Sequence, residues 1–177
     1  MQTYIALLRG INVGGQKKIK MVELRSTLEK LELKEVRTYI QSGNIVFASD
    51  KTNKNTIAEL IHSVIKTDFG FSVPTLVVTA REIEEILDKN PFSEEEAAQL
   101  YFVLLKNVPN QDLVEEFNAI KFENEEFHIS DRCVYLNCKT AYGKAKLGNN
   151  LIERKLKVEA TTRNLRTMKK LVEMAKS

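Results

Sequence analysis

The sequence predicts an α+β protein built as two ferredoxin-like βαββαβ-type pseudo-repeats, each with an appended helix. Three observations carry this prediction. The apolar segment YIALLR at 4–9 is echoed by YFVLLK at 101–106. After each of these runs come a helical apolar stripe, a hairpin, a second helix and a further extended segment. The chain has 177 residues with only 7 Gly and 3 Pro, which suits two small packed halves and leaves no composition for a long disordered linker.

The elements follow in order. Tyr4–Leu8 reads as a buried strand closed by Arg9. Met21, Leu24, Leu28 and Leu31 recur at helical spacing. The runs VRTYIQ and IVFA are joined by Ser42-Gly43-Asn44, a strong hairpin signal. Ile57, Leu60, Ile61, Val64, Ile65 and Phe69 form the stripe of the second helix, and VPTLVV at 73–78 is the fourth strand. Ile83, Ile86 and Leu87 mark the appended helix, which closes a first half over residues 1–90. The spacer 91–98 carries Ser93 and Glu96 at capping-box spacing. The second half, 99–177, repeats the series: a helix marked by Leu113, Phe117 and Ile120, then FHIS and CVYLNC as a hairpin. A helix over Leu147–Leu156 follows, then VEATTR at 158–163 as the fourth strand. The last helix carries Leu165, Met168, Leu171 and Val172.

This topology locates the polar loops. A ferredoxin-type unit contains two interleaved split βαβ crossovers, so its first two strands run the same way. The Arg9–Lys20 loop, RGINVGGQKKIK, and the Gln41–Ile45 hairpin therefore meet at one sheet edge. In the second half, KTAYGKAKLGNN at 139–150 and TTRN at 161–164 meet at the opposite edge.

Composition narrows the class. With 43% hydrophobic and 29% charged residues the chain reads as globular, and its early apolar run is too short for a signal segment or a membrane span. A cytoplasmic protein with no membrane association is expected. Cys133 and Cys138 would lie about 17 Å apart on opposite faces of a strand, so two reduced thiols are expected. Charge is segregated. Residues 1–81 hold 12 Lys and Arg against 7 Asp and Glu, residues 82–131 hold 3 against 14, and residues 132–177 hold 12 against 3. Basic ends around an acidic middle suit an anionic ligand, or mutual solvation of the halves.

The chemistry-bearing residues gather in the two loop clusters. Gly10-x4-Gly15 starts like a P-loop, but Gln16 precedes Lys17, and Lys18 stands where a magnesium-binding Ser or Thr would be needed. What remains is a generic anion cradle. Gly10, Gly14 and Gly15 permit positive φ and exposed amides, Asn12 tolerates the same conformation, and Arg9, Lys17 and Lys18 add charge. Ser42, Gly43 and Asn44 shape the neighbouring turn. At the second edge, Lys144 and Lys146 precede Asn149 and Asn150 at a helix start, and Arg163 and Asn164 open the last helix. The bland alternative is a set of solvated lysines, turns and helix caps. Only 2 His are present: His62 flanks an apolar stripe and His128 alternates outward, thin material for a triad or a metal site. No metal and no cofactor are expected.

LRGINVGG at 8–15, RTYIQSGNIVF at 37–47, NNLIERKL at 149–156 and ATTRN at 160–164 resemble the signatures of bacterial domain-of-unknown-function family 1697. The resemblance implies a compact α+β protein of two similar halves and brings no activity, cofactor or partner with it. An aromatic, usually Trp, follows ATTRN in the family pattern. Leu165 stands there in this chain, which weakens base stacking at that position. The leading expectation is binding of a phosphate-bearing ligand, a nucleotide or RNA, at the two loop edges. The competing ones are a protein-interaction module with structural loops and a metal-free enzyme.

Overall fold

The computed structural model describes all 177 residues. In the first repeat, β1 (Gln2–Leu8), β2 (Lys34–Tyr39), β3 (Asn44–Ser49) and β4 (Thr75–Val78) alternate with α1 (Met21–Glu29), α2 (Lys54–Phe69) and α3 (Ala80–Asp88). The second has β5 (Leu100–Leu105), α4 (Gln111–Asn118), β6 (Glu125–Ile129), β7 (Cys133–Cys138), α5 (Asn149–Leu156), β8 (Ala160–Asn164) and α6 (Leu165–Lys176). The strand orders are β2-β3-β1-β4 and β6-β7-β5-β8, with every neighbouring pair antiparallel. The second sheet thus reproduces the first strand for strand, as the paired YIALLR and YFVLLK segments predict. β8 is a full strand, registered from Tyr101 opposite Asn164 to Leu105 opposite Ala160.

Alternation assigns each sheet a helix-covered face. Tyr4, Ala6 and Leu8 of β1 join Ile45 and Phe47 of β3 against Leu24 and Leu28 of α1 and Ile57, Ile61 and Ile65 of α2. Val103, Leu105, Val134 and Leu136 meet Phe117 of α4 and Ile152 and Leu156 of α5 in the same way. Each fully buried Val, Leu, Ile or Phe among these contributes about 1.5–3 kcal/mol. Exposed ion pairs such as Lys106–Glu159 contribute about 0–1 kcal/mol each, so apolar burial holds the fold. The central strands β3 and β7 are buried along their whole length, on both faces.

Contacts divide the chain into two compact units, residues 1–84 with 170–177 and residues 85–169. The C-terminal piece of the first unit is tied in by Arg37, which donates to the Met174 carbonyl at 2.6 Å and to Ser177 Oγ at 2.8 Å. In the second unit, Tyr135 donates its hydroxyl to the Ile86 carbonyl at 2.9 Å.

Two local features differ from the sequence reading. Ser93 accepts from the Glu95 amide at 3.2 Å, but Glu96 does not close a capping box; it accepts from Asn137 Nδ2. The reciprocal box sits instead at Thr79-x-x-Glu82, at the start of α3. The Thr79 amide donates to Glu82 Oε2 at 2.9 Å, and the Glu82 amide donates to Thr79 Oγ1 at 3.3 Å. Burial opposes ionisation of Glu82, but hydrogen bonds from Lys54 and Thr79 outweigh it and lower its pKa below the ordinary value of 4.5. A depressed carboxyl pKa gives stability that is complete above the unfolded value and is lost as pH falls through the folded one. Melting curves from pH 6 down to about pH 3 should show Glu82→Gln losing less stability than the parent on acidification. An equal loss in both would leave Glu82 without a part in it.

Cys133 and Cys138 are both free and buried. Desolvation raises the Cys133 thiol strongly and pushes Cys138 up to about 11. A thiolate reagent at pH 7.5 should find neither thiol in the native protein and both after denaturation. Rapid native labelling would contradict this burial.

Candidate functional site

β1 and β2 run the same way, so the loop after each opens at one sheet edge. β4 runs opposite to β1, and its entry segment, residues 70–74, reaches the same edge. Three hydrogen bonds hold the pieces together: Leu8 N–H to the Gly43 carbonyl at 2.8 Å, Arg9 N–H to the Pro74 carbonyl at 3.0 Å, and Lys17 Nζ to the Ser72 carbonyl at 2.7 Å.

Residues 9–20 do not form an open strand-to-helix loop. Within them, residues 12–17 fold into a tight miniature hairpin in which Gln16 N–H donates to the Val13 carbonyl and Asn12 N–H to the Lys17 carbonyl. Gly14 (φ 58°) and Gly15 (φ 75°) occupy its tip, both left-handed, as a two-residue turn of this hand requires. Asn12 (φ 53°) and Lys17 (φ 45°) extend the left-handed geometry on either side of the tip. Asn12 pins the base: Nδ2 donates to the Ile19 and Gln41 carbonyls at 3.0 and 2.8 Å, and Oδ1 accepts from Ile19 N–H at 2.9 Å. Gly10, Gly14, Gly15 and Lys18 are exposed. Ile19 is buried and anchors the chain as it enters α1.

The β2–β3 turn completes the edge. Asn44 is fully buried and donates to the Tyr39 carbonyl at 3.0 Å and to Ser42 Oγ at 2.9 Å. Gly43 lies at φ 81°, and a Cβ there would stand 2.5 Å from Leu8 Cβ. Ile40 is exposed at φ 48°, a backbone region that β-branched residues avoid. Val13, Val22 and Ile40 are exposed at 65%, 65% and 51%, so this edge combines cations with uncovered apolar side chains.

Residues 70–74 bring a pairing that the sequence reading did not assign. His62, on α2, contacts the Val73 carbonyl through Nδ1 at 2.8 Å and Ser72 Oγ through Nε2 at 3.3 Å. The signal was available in topology, since an antiparallel β4 must begin where β1 ends.

At the second edge the candidate residues are stitched to one another. Asn149 N–H donates to the Tyr142 hydroxyl at 3.2 Å, that hydroxyl to Thr162 Oγ1 at 3.2 Å, and Thr162 Oγ1 back to Asn149 Oδ1 at 2.8 Å. Asn149 Nδ2 donates onward to the Ala160 carbonyl. Tyr101 stacks on Tyr142 with ring centroids 4.4 Å apart. One of the free amides expected at the start of α5 is therefore occupied by a tyrosine, and the cap position is Gly148 rather than an asparagine.

Arg163 is 7% exposed and donates to Thr161 Oγ1 at 2.9 Å and the Thr162 carbonyl at 2.8 Å. Burial pulls its guanidinium down to about 10, which leaves it charged at neutral pH. Asn164 caps α6 by accepting from Thr167 N–H at 2.9 Å. Lys144, Lys146 and Asn150 remain exposed there. No cluster of three or more His, Cys, Asp or Glu side chains could hold a metal ion, and no helix is long and apolar enough to cross a membrane.

Comparison with known proteins gives family and fold. The family described as "Protein of unknown function (DUF1697)" matches residues 1–135. Among solved structures, a conserved bacterial protein from Streptococcus pneumoniae is similar, with a TM-score of 0.75 and 24% identity over 98% of each chain. No curated protein matches.

Proposed function

The chain belongs to a family of unknown function, DUF1697, and from its own loops we propose that it binds a phosphate-bearing ligand, a nucleotide or RNA, at the first edge. One observation carries this reading. The exposed Gly14-Gly15 tip is left-handed at both residues and is flanked by Lys17 and Lys18. Backbone amides presented in that way, with cations beside them, complement a phosphate group. Asn12 belongs to the same hairpin, Arg9 and Gly10 lead into it from β1, and Ser42, Gly43 and Asn44 form its support. Lys144, Lys146 and Asn150 offer a weaker second patch. Asn149, Arg163 and Asn164 act there as scaffold, because their side chains bond within their own unit.

Titration of ATP and of a short single-stranded RNA tests the reading. The double variant Lys17→Ala, Lys18→Ala should cost about 1 kcal/mol of stability, because Lys18 is exposed and Lys17 gives up one hydrogen bond, to the Ser72 carbonyl. Affinity should fall, and for RNA the log–log salt slope should shrink by up to about 2. A double variant that binds both probes as the parent does would defeat the proposal.

The exposed Val13, Val22 and Ile40 favour a second reading, a protein-interaction surface. That reading expects a stoichiometric partner retained at high salt and lost in Val13→Ser.

A further inference from the structure

We infer that Ser72 and His62 form a nucleophile–base pair for acyl transfer from carboxylic esters, set against the hairpin that carries Lys17. A carbonyl oxygen can only accept, so the 2.8 Å contact to Val73 places the proton of the neutral imidazole on Nδ1. Nε2 is then the bare nitrogen, and the Ser72 hydroxyl at 3.3 Å must be the donor. That is the proton arrangement a serine nucleophile needs, and a loose contact of this kind is usual before substrate binds. The Val73 carbonyl takes the place of an orienting third group, fixing the tautomer and stabilising the imidazolium that forms during reaction.

Position supports the pairing. Ser72 is exposed while His62 is half-buried, so the hydroxyl is open to substrate and the base is held by α2. Lys17 Nζ donates to the Ser72 backbone carbonyl at 2.7 Å, which ties the hairpin to the residue that carries the nucleophile. The chemistry balances without a cofactor. Ser72 Oγ attacks the ester carbonyl carbon, and its proton passes to His62 Nε2. The C–O bond to the alcohol then breaks, with that proton delivered to the leaving oxygen. Water then attacks the acyl carbon and gives its proton to His62 Nε2. The bond from Ser72 Oγ to the acyl carbon breaks, the carboxylic acid leaves, and the proton returns to Oγ.

This activity does not depend on the phosphate reading, and its probes carry no phosphate monoester. The full chain is treated with p-nitrophenyl acetate and, separately, with an alkyl fluorophosphonate, from which Ser72 displaces fluoride. Peptide mapping should find the adduct on Ser72. Ser72→Ala, an exposed change, should keep the parent melting temperature and lose both adduct and ester turnover. His62→Gln should slow labelling by about 100-fold or more. Should His62→Gln fail to melt cooperatively, labelling of the parent in deuterium oxide decides. A slower reaction marks proton transfer to the imidazole, and an unchanged rate overturns the inference. Adducts elsewhere but not on Ser72, or undiminished labelling in a folded His62→Gln, overturn it as well.

Discussion

Gly43→Ala should be among the most damaging single substitutions at the first edge, lowering stability by about 2–5 kcal/mol. Two costs add. An L-residue at φ 81° loses about 1–2 kcal/mol relative to glycine. The new methyl would stand 2.5 Å from Leu8 Cβ and 3.0 Å from Ile11 Cδ1, both on buried residues, and overpacking of this kind costs about 1–3 kcal/mol. Leu8 cannot retreat easily, because its own amide bonds the Gly43 carbonyl. In a chain of this size the melting temperature should fall by roughly 2–4 °C per kcal/mol. Gly14→Ala is the control. It has the same backbone hand but nothing within 4 Å of its Cβ, so only the conformational cost of about 1–2 kcal/mol applies. Equal melting temperatures for the two variants would show that the contact with Leu8 and Ile11 is not decisive.

Asn12→Ala should be the other large effect, at about 2–3 kcal/mol. The side chain makes three hydrogen bonds, to Ile19 N–H, the Ile19 carbonyl and the Gln41 carbonyl, each worth about 1 kcal/mol net. Partial exposure reduces that total. Alanine also tolerates φ 53° less well than asparagine, which offsets the reduction. Hydrogen exchange reads the local consequence. The Ile19 amide should lose protection, while amides of β3 should keep theirs, because loops open without global unfolding. Asn12→Gly separates the causes, since it removes the bonds without the strain. If Ile19 stayed protected in both variants, Asn12 would not be the pin of the hairpin.

Much of the architecture was legible in the residues. The echo of YIALLR in YFVLLK identified equivalent central strands, and Ser42-Gly43-Asn44 marked its turn, because apolar runs and turn chemistry act over a few neighbours. The site was less legible, since its geometry depends on partners distant in sequence. Asn12 reads in the sequence as part of an anion cradle, and its work as the pin of the hairpin depends on Gln41, which arrives from the next hairpin. His62 reads as the flank of an apolar stripe, and only the return of the chain at Val73 gives its ring a hydrogen-bond partner. Arg163 looked like a free cation, but it lies on the β8 face opposite Thr162, the face that buries it. The Thr79-x-x-Glu82 box was readable by spacing alone, and Ser93-x-x-Glu96 has the same spacing. What separates them is that Glu96 is drawn to Asn137, which spacing cannot show.

The membership of residues 170–177 in the first unit has a bearing on biosynthesis. A ribosome releases residues 1–84 early, yet the segment that completes their packing emerges only after all of 85–169. During translation Arg37 therefore waits without its acceptor at Met174, while the intervening unit already has its whole chain. Domains generally fold in the order they emerge. Here the unit that starts first is the one that finishes last, and its closure waits on a segment made after the whole of the second unit.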